Sequence, residues 1–94
     1  MAEIIWTKKA RLDLKGIHEY ISEDSVFYAN RFVLKLIGLV EVLQNFPTAG
    51  RVVPEYEDAS VRELIEGNYR IFYKTSGSNR VYILRIHHAA RKII

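Results

Sequence analysis

The sequence predicts an α+β domain in which a hairpin of two amphipathic helices packs on one face of a small, twisted, antiparallel-rich sheet. Three observations lead there: two apolar stripes of 3.6-residue period in the first half, three runs of period-two alternation in the second, and tight-turn residues between those runs. Of its 94 residues 49% are hydrophobic, and only five are Gly and two Pro, so residues 1–94 make one compact domain with no room for a second core.

Glu3 to Trp6 is a short apolar run suited to an opening strand, and Thr7 is placed to cap the helix that follows. Ala10, Leu14, Ile17 and Ile21 then recur on one helical face over about residues 8–23, with Lys8, Lys9, Arg11, Asp13, Lys15 and Glu19 expected on the solvent face. After the polar Ser22 to Ser25, a second helix over about 26–45 aligns Ala29, Val33, Leu36, Val40 and Leu43, widened by Phe32 and Leu39. Pro47 ends it, because proline cannot continue a helix and restricts the residue before it. Thr48 to Ser60 reads as irregular, with acids at Glu55, Glu57 and Asp58.

Three strands follow, at about 61–66, 69–75 and 80–87, joined by turns at Glu66-Gly67-Asn68 and Ser76-Gly77-Ser78-Asn79. Strict alternation sets Tyr69, Ile71 and Tyr73 against Arg70, Phe72 and Lys74 in the middle strand. In the last strand it sets Tyr82, Leu84 and Ile86 against Ile83, Arg85 and His87. Tyr69, Tyr73 and Tyr82 are expected on the helix-covered side, and Trp6, Tyr20 and Phe46 in the core. Two elements of this pattern bear on function. The chain carries a net charge of +3, and from Arg70 to Ile94 there are six cations and no acid. Mid-strand arginines and a terminal His pair give the sheet a cationic face, which suits a polyanion or an acidic protein; a solvated edge kept soluble by charge is the alternative.

The chain has no cysteine, so disulfides and thiolate zinc sites are excluded. Adjacent strand residues point to opposite faces, so His87 and His88 diverge and make a poor metal pair; no metal and no cofactor are expected. No apolar run reaches the ~18 residues a bilayer span needs, and Met1-Ala2-Glu3 opens with an acid where a signal peptide would be basic. A cytoplasmic protein without membrane association is the expectation.

Trp6-Thr7-x-x-Ala10-x-x-Asp13-Leu14-x-x-Ile17-x-x-Tyr20-Ile21, Pro47-x-x-Gly50-Arg51-x-Val53-Pro54-Glu55, Arg62-Glu63, Tyr69-Arg70-Ile71-x-Tyr73 and His87-His88-x-x-Arg91 occur in this order along nearly the whole chain. The ordered set resembles the RelE/ParE superfamily of toxins from type II toxin–antitoxin modules. The resemblance implies a helical hairpin on an antiparallel-rich sheet and one of two activities: ParE-like poisoning of DNA gyrase, which the Gly-Arg-x-Val-Pro-Glu segment favours, or RelE-like cleavage of mRNA on the translating ribosome. It also implies neutralisation by a cognate antitoxin in a hetero-oligomer.

Metal-free RNA cleavage needs a base for the 2′-hydroxyl, cations for the added phosphate charge and an acid for the leaving oxygen. By the resemblance these places fall on Glu55, Arg70 and His87, with His88 where the nuclease branch has a terminal aromatic. Two departures stand against full nuclease equipment: that aromatic is replaced, and Glu55, Glu57 and Asp58 put anions where RelE has a lysine-rich loop. Arg70 has a structural alternative as the cross-strand partner of Glu63 or Glu66. If the protein acts by binding alone, Arg51, Arg62, Arg85, Arg91 and Lys92 form the expected contact surface.

Overall fold

The computed structural model describes residues 1–89, as a two-layer α/β arrangement with a loop across its back. Strand β1 (Glu3–Trp6) leads into α1 (Lys8–Ser22), and α2 (Val26–Glu41) runs on through one 3₁₀ turn (Val42–Gln44). The short β2 (Arg51–Val52), then β3 (Val61–Glu66), β4 (Tyr69–Ser76) and β5 (Arg80–His88) complete the chain of elements. The sheet order is β1-β5-β4-β3-β2, antiparallel except for the parallel β1–β5 pair.

Local chemistry explains the boundaries. Thr7 Oγ1 accepts the Ala10 amide at 3.2 Å, and its hydroxyl donates to the Ile83 carbonyl at 2.7 Å, so one residue both caps α1 and ties it to β5. Ser25 caps α2 by accepting the Tyr28 amide at 3.2 Å. Gly67 takes φ 57° between β3 and β4, a left-handed conformation open to glycine at little cost. The apolar stripes of both helices meet the sheet through Ala10, Ile17, Leu36, Val40, Leu43, Ile71, Tyr73, Val81, Ile83 and Ile86, all buried. A smaller cluster of Val53, Val61 and Phe72, joined by Leu84, lies on the opposite face under the 53–60 loop.

The structure corrects the alternation expected in β5. Tyr73 pairs with Ile83 but Phe72 with Arg85, so Leu84 is an extra residue and the phase of the strand resets across it. Ile83 and Ile86 therefore both face the helices, while Leu84 packs behind the sheet. Tyr82 pairs with Lys74, which puts it on the open side and not among the helix-facing tyrosines. Asp13 is also displaced from its expected place in solvent. Its Oδ2 accepts the Ile86 amide at 2.9 Å and Arg85 Nε at 2.8 Å, and its Oδ1 accepts the Arg85 Nη2 at 3.1 Å. Next to the bulge an amide needs an acceptor, and α1 supplies it. Tyr20 and Phe46, expected in the core, are 67% and 64% exposed; Trp6 is partly buried against the core as expected.

The turn into β2 depends on a close approach at Gly50. Its amide donates to the Tyr73 hydroxyl at 2.8 Å, its carbonyl accepts Arg62 Nη1 at 2.8 Å, and a Cβ there would lie 2.5 Å from the Glu63 carbonyl oxygen. Gly50→Ala should therefore destabilise the fold by about 1–3 kcal/mol through overpacking, and Tyr73→Phe by about 1 kcal/mol through one lost hydrogen bond. Urea denaturation followed by circular dichroism measures both; an alanine variant with the parent midpoint would refute the packing argument.

Candidate functional site

The side chains that could do chemistry gather on the sheet face away from the helices, and strand register puts them there. Arg51 pairs with Glu63, Glu63 with Phe72, and Arg70 with His87, so Arg51, Glu63, Arg70 and His87 project from one face of four adjacent strands. After β2 the chain turns back, with the Tyr56 amide donating to the Val53 carbonyl, and this lays Glu55 over Arg70.

Each nitrogen of the Arg70 guanidinium donates to a carboxylate. Its Nε donates to Glu63 Oε1, while Nη1 and Nη2 donate to the two Glu55 oxygens at 2.8 and 2.9 Å. Its guanidinium carbon sits 4.8 Å from the centre of the Phe72 ring, against whose face or edge Tyr56 and His87 also pack. Glu63 in turn accepts Arg51 Nε at 2.7 Å on its other oxygen. The Glu63 side chain is wholly buried, whereas that of Arg51 is 60% exposed.

The electrostatics follow from this alternation of charge. Burial pushes the Glu63 carboxyl up, but hydrogen bonds from Arg70 and Arg51 outweigh it and hold the group below its ordinary value. The Arg70 hydrogen bonds pull Glu55 down to about 2. Glu55 first, then Glu63, raise Arg70 beyond its already high value. A carboxylate held this low is a weak base at neutral pH, and a guanidinium whose outer fork is closed by a bidentate carboxylate can offer that fork to a phosphate only by displacing it. The open cationic face expected from the sequence is thus corrected: acids neutralise it, with Lys74 on Asp58, Arg80 on Glu3 and Arg85 on Asp13 in addition.

The remaining candidates are spread out. Arg62 faces the helix side and binds the Gly50 carbonyl. His88 lies on the face opposite His87, edge-on to Tyr69 at 5.2 Å. A groove of about 540 Å³ between α1 and the end of β5 is lined by Leu12, Tyr20, Tyr69, Arg85 and both histidines. Arg91 and Lys92 lie outside the described residues. Sequence reasoning missed the inward role of Asp13; of the two cross-strand partners it offered Arg70, Glu63 is the one the fold uses.

The comparisons with known proteins agree with this layout. The family described as the ParE toxin of the type II toxin-antitoxin system, parDE, matches residues 4–93. The chain belongs to the ParE toxin family. It is 34% identical over 91 residues to Toxin RelE2 of Caulobacter vibrioides, spanning 97% of this chain and 99% of that one. Its fold is similar to a chain of the chromosomal ParDE system of P. aeruginosa, with a TM-score of 0.76, 27% identity, and 94% and 96% of the two chains covered. It also resembles a chain of the RelBE2 toxin–antitoxin complex of Mycobacterium tuberculosis, with a TM-score of 0.70 at 22% identity, covering 93% and 96%, a likeness of fold. The helical hairpin on a mostly antiparallel five-stranded sheet is therefore the fold of a type II toxin.

In this toxin the buried carboxylate and its exposed neighbour should respond differently. Glu63→Ala, which removes the buried anion between Arg70 and Arg51, should cost about 3 kcal/mol, and Arg51→Ala, which leaves one buried Glu63 oxygen without its donor, about 1–2 kcal/mol, measured by equilibrium unfolding. The Glu55 carboxyl is depressed in the folded state from an ordinary 4.5 to about 2, so its contribution to stability is complete above pH 4.5 and is lost as pH falls through 2. A carboxyl-detected NMR titration should place its midpoint near the lower value. In Arg70→Gln the midpoint should return toward the ordinary one, and no movement would refute the clamp.

Proposed function

We propose that this toxin acts by binding, as a ParE-like inhibitor of DNA gyrase, and that a cognate antitoxin neutralises it. The observation that carries this reading is the engagement of the Arg70 guanidinium by Glu63 at Nε and by both oxygens of Glu55 at Nη1 and Nη2. A nuclease on this face needs Arg70 open to the scissile phosphate and Glu55 able to take a proton, and the lattice of ion pairs opposes both. A binding toxin needs neither. The family match supports the same choice. The alternative, RelE-like cleavage of mRNA on the ribosome, keeps one supporting feature: Glu55, Arg70 and His87 do converge around Phe72.

Exposed apolar side chains support an antitoxin partner. Val26, Phe27, Tyr28 and Leu34 on α2 are each more than half exposed, more than an isolated domain leaves uncovered without a purpose. A groove of about 670 Å³ runs among Ile21, Tyr28, Phe32 and Leu34, with Arg31 and Lys35 at its sides. An antitoxin segment that alternates acidic and apolar residues, disordered when free and folded on binding, fits it. Reaching on to the sheet, such a segment would meet arginines already paired, so its affinity on this reading comes from the apolar groove and not from Arg70.

Purified toxin should inhibit supercoiling by gyrase and leave mRNA on translating ribosomes intact. His87→Gln and Glu55→Gln should each keep that inhibition within about threefold, since neither residue performs a chemical step. Ribosome-dependent cleavage that both variants abolish, with gyrase unaffected, would reverse the assignment.

A further inference from the structure

The charge that the sheet face does not display is found elsewhere. Arg51, Arg70, Lys74, Arg80 and Arg85 all meet carboxylates, as does Lys35 on α2. Lys8, Lys9, Arg11 and Lys15 at the start of α1 are exposed, and among the described residues their side chains form no ion pair or hydrogen bond. Asp13, the one acid in that stretch, is turned inward to Arg85 and the Ile86 amide.

This helix is charged against its own dipole. The first turn holds no acid and the last turn no base; instead three cations stand at the N-terminus, where the helix end is itself positive, and Glu23 and Asp24 follow the C-terminal end. Lys8, Arg11 and Lys15 lie three, four and seven residues apart, so like charges are neighbours along one stripe, which weakens a helix. Folding alone favours none of this. A bound anion would relieve all of it, since it attracts both the cations and the helix end.

We infer that this ridge docks on the phosphate backbone of duplex DNA. From Lys8 to Lys15 the helix advances about 10 Å, which spans about three phosphate-to-phosphate steps of one strand at about 3.4 Å of axial rise each. The stripe of Lys8, Arg11, Leu12 and Lys15 carries no aromatic ring, so it lacks the stacking platform that single strands require. The contact is to phosphate and not to base edges, and it selects no sequence. The inference goes beyond the gyrase reading and does not depend on it, because the ridge and the Arg70 lattice are on different elements of the fold.

The test uses the full chain, a fluorescent 20-base-pair duplex DNA, the same sequence as single-stranded DNA, and a duplex RNA. Binding by anisotropy is followed over a salt series. With three or four phosphates neutralised, the slope of log affinity against log salt should be about −3 to −4. The triple variant Lys8→Gln, Arg11→Gln, Lys15→Gln should lose at least tenfold in affinity and about 3 units of slope, while Arg31→Gln with Lys35→Gln on α2 should keep both. The triple variant should also melt at or above the parent temperature, because it removes repulsion from α1; a merely structural role would lower it. A triple variant with parental affinity and slope overturns the inference, and so does tighter binding of parent protein to the single strand or to duplex RNA. Gyrase inhibition by a parent protein that does not bind duplex DNA would sink the ridge and leave the gyrase reading standing; duplex binding without gyrase inhibition would do the reverse.

Discussion

The buried carboxylate of Glu63 is the constraint around which the sheet face is arranged. A wholly buried anion must have its lone pairs met by cations or donors, or it would take up a proton or unfold the site. Arg70 from β4 meets one oxygen and Arg51 from β2 the other. Through Arg51, Glu63 supports a strand of only two residues that would otherwise have little to hold it. That strand starts at Gly50, whose amide reaches the buried Tyr73 hydroxyl, so the ion lattice and the main core share a wall. Beyond β2 the chain turns at Val53 and delivers Glu55 to the second fork of Arg70.

The same reasoning explains why charge was the hardest property to read from the sequence. A cation count along the last 25 residues sees Arg70, Lys74, Arg80 and Arg85 without acids beside them. In the fold each finds a carboxylate from another element: Glu63 and Glu55, Asp58, Glu3 and Asp13. Pairing between distant segments neutralises one face, and the net positive charge of the described chain is left mainly on α1, where the linear sequence shows a mixed and unremarkable helix surface. Electrostatic character belongs to the assembled surface, and only local pairs can be predicted from spacing.

The architecture was far more legible. Helix boundaries followed from Thr7, the polar break at Ser22 to Ser25 and Pro47, and β3 began and ended where alternation and Gly67-Asn68 put it. These signals are local, and each comes from the chemistry of a few adjacent residues. The bulge at Leu84 has no such signal, because the apolar run Tyr82-Ile83-Leu84 satisfies either phase of alternation. Missing it led to two further errors, since the bulge decides both that Ile83 and Ile86 share the helix face and that the Ile86 amide needs Asp13. The exposure of Tyr20 escaped for a different reason: it lines the groove beside β5, whose form depends on how α1 sits on the sheet.

On the reading proposed here, the composition of one loop is what turns this face from cleavage to binding. Arg70 sits mid-strand on a rigid sheet, desolvated by Phe72 beneath it and oriented by Glu63 beside it, which is the preorganisation an enzyme gives to a transition-state cation. The same preorganisation makes its second fork a strong attractor for the nearest anion. A basic loop above it would leave that fork to an incoming phosphate. Here the loop contributes Glu55, and the fork closes on it in a bidentate pair that an incoming phosphate would have to displace. One carboxylate thus converts a site suited to charge stabilisation into a cross-brace between loop and sheet, and on the reading proposed here the toxin has given that face to stability and placed its free charge on the other side of the fold.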